Sequence, residues 1–215
     1  MKVTLAPIVS TISGRFGGMV GTNWKGIYLF RRFQSPSNPN TTAQQNVRVL
    51  FRNLTITFTI QTARLRAAWD SFATGKRFIA RNSWIGRNVA IMNGDANLND
   101  MVATPGDAST LPPTNITVTP AAAQFTIDIS TPALPTGWTI TRIITVVWRD
   151  RDFRTLQPAS AVGFDEEVDT TSPYQNVHTG LDAAALYQIA AFIEWLAPGA
   201  QTRYSASFRT TDTTL

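Results

Sequence analysis

The chain has 215 residues, 43% hydrophobic and 15% charged, with a formal net charge of +5 and no cysteine. A disulfide framework and thiolate chemistry are thereby excluded, and no apolar run approaches the roughly 18 residues of a membrane-spanning helix. Residues 1–111 carry thirteen cations against four acids, a net +9, whereas residues 112–215 carry six against ten, a net −4; this asymmetry predicts two modules with different partners, the first seeking an acidic surface.

The first expected element is an extended arm over residues 1–18. Its short apolar stretch is broken by Thr4, Pro7, Ser10 and Thr11. No small-x-small cleavage pattern follows, so it reads as an arm and not as a secretory signal. A β-ribbon is expected over 19–34, turning near Asn23 to Gly26 and carrying Arg31 and Arg32 at its end. Glycines 14, 17, 18 and 21 permit close approach by another chain and leave this stretch without a core of its own. Pro36 and Pro39 then hold a polar elbow extended.

Helices are expected over about 41–93. Thr41 or Thr42 caps the first, with Gln44 or Gln45 three residues on, and Val47, Leu50, Phe51 and Leu54 follow at helical spacing. The stretch T-I-T-F-T-I at 55–60 is ambiguous. Its alternation argues strand, the helix before it argues continuation, and the helix is favoured. A second helix from Thr62 carries Leu65, Ala68, Trp69 and Phe72 on one face, and a third, about 82–93, offers Trp84, Ile85, Val89 and Met92. The three are expected to form a small bundle beneath the ribbon.

Residues 102–115, rich in Pro, Gly, Ser and Thr, read as a linker that closes a first module at residue 101. Residues 116–215 read as an all-β module. Strands are expected at 116–119, 125–130, 140–149, 186–195 and 204–209, with turns at 132–137, 171–173 and 197–200. On the strand 140–149, Ile140, Ile144, Val146 and Trp148 are expected mainly on one face. Roughly seven short strands over about a hundred residues fit a two-sheet sandwich of immunoglobulin type. The fold class expected for the whole chain is thus an α+β N-terminal module followed by this sandwich. G-L-D-A-A-A-L-Y at 180–187 resembles the fibronectin type III corner, in which the hydroxyl of Tyr187, six residues after Leu181, bonds back to the preceding loop.

No catalytic, cofactor or metal site is expected. His178 is the only histidine and is placed in a loop before a strand, as a structural or solvent-facing residue. F-D-E-E-V-D at 164–169 is dense in oxygen ligands but lacks calcium-loop spacing, and reads as a solvated loop. R-D-R-D at 149–152 reads as a hairpin tip with weak local pairing. G-R-F-G-G-M-V-G lacks the lysine and the following helix of a phosphate loop.

The candidate functional residues are those of a protein-docking surface: Trp24, Tyr28, Arg31, Arg32, Arg48, Arg52, Arg64 and Arg66. Arginine forks suit carboxylates and aromatic rings anchor pockets. The same mixture also suits phosphates and bases, and a basic solvated face is the third reading. Arginine outnumbers lysine ten to three in residues 1–111, which favours ordered protein contacts over a diffuse field.

G-R-F-G-G, G-I-Y-L-F-R-R-F, N-P-N-T-T-A-Q-Q-N-V-R-V-L-F, R-L-R-A-A-W and N-S-W-I-G-R-N occur in that order over about residues 13–90. This order resembles a family of phage and prophage virion-associated proteins, many of which carry a fibronectin-type sandwich at the C-terminus. The resemblance implies a virion structural protein without fixing its place on the particle. The expectation is therefore a multi-copy, non-enzymatic virion protein, foremost a capsid decoration or cement protein. It would contact the major capsid protein, other virion proteins or sister subunits, and neither nucleic acid nor membrane. A tail, neck or baseplate component, or a carbohydrate-binding module stacking sugars on Trp138 or Trp195, are the alternatives.

Overall fold

The computed structural model describes residues 13–25, 27–35, 40–94, 101–150 and 164–215. They belong to two compact units, Met1–Thr41 and Thr42–Leu215.

In the first unit, β1 (Gly14–Phe16), β2 (Met19–Trp24) and β3 (Ile27–Arg32) form an antiparallel sheet in the order β1-β2-β3. The two-residue turn between Phe16 and Met19 holds Gly17 at φ +59°, a conformation glycine adopts at little cost and one that matches strand twist in a tight hairpin. The expected ribbon therefore gains a third strand from the end of the expected arm. Residues 1–12 of that arm, and Pro36 and Pro39 of the elbow, lie outside the described residues.

The second unit begins with α1 (Thr42–Ile60), α2 (Ala63–Ala73) and α3 (Ala80–Gly94). The ambiguous stretch 55–60 is helical. Its β-branched residues are accommodated because Thr55 and Thr57 hydroxyls donate to the carbonyls of Phe51 and Asn53, both at 2.8 Å. Thr62 caps α2, its hydroxyl accepting from the Leu65 N–H at 3.3 Å.

Among the described residues eight strands follow: β4 (Asn115–Ala121), β5 (Gln124–Ser130), β6 (Thr139–Arg149), β7 (Phe164–Asp169), β8 (Tyr174–Thr179), β9 (Leu186–Ala197), β10 (Gln201–Tyr204) and β11 (Phe208–Thr213). One antiparallel sheet has the order β4-β5-β8. The other has the order β10-β9-β6-β7, with β11 also beside β9. The expected single strand 204–209 is divided because Ser205 leaves the ladder, its backbone N–H donating to Ile193 and its hydroxyl accepting from the Ile193 N–H.

Two cores lie on opposite faces of the larger sheet. Ile144, Val146, Trp148, Ala190 and Phe192 pack with Leu50, Leu54, Leu65, Trp69, Trp84 and Met92 of the helices. Ile143, Val147, Ile189, Ile193 and Trp195 pack with Phe125, Ile127 and Ile129 of the smaller sheet. Strands β6 and β9 are apolar on both faces because both faces are covered. A register shift between Ile140 and Arg142 moves Ile140 off the face of Ile144 and into the second core, against the expected common face.

Two expectations are corrected here. The helices do not form a separate bundle, since their apolar faces are completed by the larger sheet. Nor is 102–115 a free linker. Met101 and Ala103 are buried, the Trp69 indole N–H donates to the Ala103 carbonyl at 2.7 Å, and Thr104 donates to Ser205 at 2.8 Å. Gly106 sits at φ +78° where a Cβ would lie 2.6 Å from the Ala206 nitrogen, so this crossing needs glycine. The boundary between units accordingly falls after Thr41, and not at 102–115.

Candidate docking surfaces

Strand pairing builds the ribbon site. Arg15 stands opposite Val20, and Val20 opposite Arg31, so these three side chains form a row across one face of the sheet. The Phe33 N–H donates to Gly18 at 2.7 Å and extends the same edge. The Arg15 guanidinium lies 4.0 Å from the Phe33 ring centre, while its Nε donates to the Gly17 carbonyl at 3.1 Å. Val20, Arg31, Arg32, Phe33 and Gln34 line a hollow of about 490 Å³, room for several side chains and not merely one ion. Arg31 and Arg32 are exposed. The first acidic residue in the chain is Asp70, so nothing in Met1–Thr41 can neutralise these cations.

The expected docking residues divide between the two units. Tyr28 lies half-buried on β3; Trp24 lies on β2 and its side chain falls outside the described atoms. Arg48 and Arg52 are exposed on α1, beside exposed Val47 and Phe51. Arg66 is exposed on α2. Arg64 is engaged within the molecule, donating to Glu166 on β7 at 2.6 Å. Arg15 was not among the expected residues; its cross-strand relation to Arg31 through Val20 becomes visible only with the strand register in hand.

The acidic stretch 164–169 is a strand, β7, and not a solvated loop. Its alternating carboxylates serve two layers. Glu166 faces the helices, accepting from Arg64 and from the Thr62 hydroxyl. Asp165 faces the smaller sheet and bonds His178 Nδ1 at 2.7 Å. His178 is on β8 and fully buried, so the expected loop position is corrected, and its Nε2 lies 2.7 Å from the Thr145 hydroxyl. The hydroxyl–imidazole–carboxylate order imitates a nucleophilic relay. Thr145 is 0% exposed in the middle of β6, however, so no substrate can reach it, and the trio ties the two sheets together.

The Tyr187 hydroxyl accepts from the Asp182 N–H at 2.8 Å, the corner contact expected from 180–187. Trp195 is 1% exposed and bonds the Leu111 carbonyl, while half-buried Trp138 packs edge-on against it at 6.1 Å. The sugar-stacking alternative thus loses the face of Trp195. Burial pushes the Tyr204 hydroxyl above its ordinary pKa, and the nearby Glu194 carboxylate adds to the rise.

No family model matches the chain, and no curated protein matches it. Among solved structures it is similar to a computationally redesigned β-sandwich protein, with TM-score 0.35 and 25% identity over 49% of this chain and 90% of that one. It is also similar to a myokine, with TM-score 0.34 and 15% identity over 50% of this chain and 100% of that one.

Proposed function

We propose that this chain is a structural protein of a tailed-phage virion, present in many copies as a capsid decoration or cement protein. It docks through the basic ribbon and displays an immunoglobulin-like domain of fibronectin type III kind. The observation that carries the docking step is the Arg15–Val20–Arg31 row beside Phe33, in a unit with no acid of its own. Cations around an apolar anchor suit a carboxylate-rimmed pocket on the major capsid protein or another virion protein. The domain assignment draws support from the sheets β4-β5-β8 and β10-β9-β6-β7, together with the Tyr187 corner. The motif order over residues 13–90 supplies the virion class.

The test is binding of the full chain to purified phage heads assembled without it. Binding should weaken as salt rises and fall further with Arg31→Ala and Arg32→Ala combined. Binding indifferent to both overturns arginine docking. Labelled antibody on intact particles separates a head position from a tail, neck or baseplate position, which would use the same chemistry.

A further inference from the structure

The turn between α2 and α3 carries a second basic surface that the ribbon site does not use. Residues 71–94 contain Lys76, Arg77, Arg81 and Arg87 and no acid. Thr74 ends α2 and Gly75, at φ +76°, redirects the chain. Phe78 and Ile79 are then left 42% and 60% exposed. Lys76 Nζ lies 3.0 Å from the centre of the Phe72 ring, which packs on Phe78 at 6.1 Å. This is a bare apolar tip ringed by cations, the anatomy of a hot spot that lacks its partner.

A complementary surface lies elsewhere on the same unit. Glu167 is exposed on β7, and Asp169 follows on the same face of that strand. Asp169 accepts from the Gln175 N–H at 2.8 Å, and the Gln175 side-chain amide donates to Asp128 at 2.7 Å. Val177, two residues on, is 40% exposed and supplies an apolar contact beside these carboxylates. Glu167 and Asp169 lie on β7 at one end of the larger sheet, with Asp128 and Val177 on the smaller sheet, and the basic turn lies towards the other end of the larger sheet. At its N-terminal end α2 is fixed to β7 through Arg64 and Glu166. Towards its C-terminal end Ser71 bonds Asp107, which also accepts from the Tyr204 N–H on β10. In the order β10-β9-β6-β7, the helix therefore crosses from the acidic end to the far end and delivers the basic turn there.

We infer that a second copy of this chain occupies the basic turn, its acidic β7–β8 edge seated against Phe78, Ile79, Arg77 and Arg81. Opposite charges at opposite ends make the contact head-to-tail, so the copies close a ring or extend a filament and do not form a two-fold dimer. Arginine forks on carboxylates fix the register. The inference deepens the self-association within the proposed function and uses a surface separate from the ribbon.

The experiment is sedimentation velocity of the full chain at low and high salt. The wild type should form species larger than a dimer at low salt and lose them at high salt. Arg77→Glu with Arg81→Glu should be monomeric, as should Asp128→Lys with Glu167→Lys. An equimolar mixture of the two variants should recover the larger species, because each then offers the other an opposite surface; that recovery also shows that both are folded. A wild type monomeric at all concentrations, a mixture that stays monomeric, or association abolished by Arg31→Ala and Arg32→Ala but not by the turn variant overturns the inference. So does a monomeric wild type that binds anionic vesicles through Phe78 and Ile79. Loss of self-association with head binding intact leaves the ribbon reading standing, and the converse leaves this one standing.

Discussion

Arg64 on α2 donates to Glu166 on β7 at 2.6 Å, which fixes the helical layer to the edge of the larger sheet. The Glu166 side chain is 8% exposed and the Arg64 side chain 42%. The two partners are therefore unequal. Arg64→Ala strands the buried Glu166 carboxylate with only the Thr62 hydroxyl left to it, and should cost about 1–3 kcal/mol. Glu166→Ala deletes the buried charge itself and leaves a guanidinium that solvent can reach, and should cost about 1 kcal/mol or less. Urea unfolding of the two variants checks the order, and a larger loss for Glu166→Ala would refute it.

Much of the architecture follows from local pattern. Leu50 and Leu54, Leu65 and Trp69, and Trp84 and Met92 recur at helical spacing and are all buried. The alternation of F-T-I-D-I-S is that of β5. Strand β7 was not legible because Asp165 and Glu166 look like solvent residues until His178 and Arg64 meet them from two layers. The same reason hides His178, whose burial is compensated by a hydroxyl 33 residues away in sequence. The mistaken linker had the composition of a loop, but Met101 and Ala103 are enough to seat it between helix and sheet. Of the residues expected to dock, Arg31 and Arg32 are exposed at the end of β3, a position legible from sequence; the ion-paired state of Arg64 was not.

The His178 trio predicts a specific pattern of damage. Thr145→Val conserves volume but leaves the buried Nε2 unpaired, and should cost about 1–3 kcal/mol. Thr145→Ser keeps the hydroxyl and should cost less. The measurement is the denaturation midpoint of each variant. A larger loss for Thr145→Ser than for Thr145→Val would mean that the methyl group and not the hydrogen bond holds the sheets.

Because one core is built from helices and sheet together, the unit Thr42–Leu215 should unfold in a single transition. Trp84→Ala on α3 should destabilise the whole unit by about 3–5 kcal/mol. Helical and sheet signals should melt together in both proteins. A truncation to 102–215 would bare Ile144, Val146, Trp148 and Phe192, and should be aggregation-prone. Two separated transitions, with the sheet unmoved by the Trp84 substitution, would contradict a shared core.

Tyr204 makes stability fall at alkaline pH. Its folded pKa is raised, first by burial and then by Glu194, whereas in the unfolded chain it ionises near the ordinary value of about 10. Above that value the unfolded state sheds the proton while the folded state keeps it, so the unfolded state binds fewer protons and stability declines as pH rises. One proton sets a ceiling of about 1.4 kcal/mol per pH unit, and solvent reaching the half-buried ring reduces it. Below pH 10 the residue contributes no slope. Tyr204→Phe removes the ionising group while keeping the ring against Phe192, so its stability should decline less steeply than that of the wild type as pH rises above 10. Parallel alkaline limbs for the two proteins would place the titrating group elsewhere.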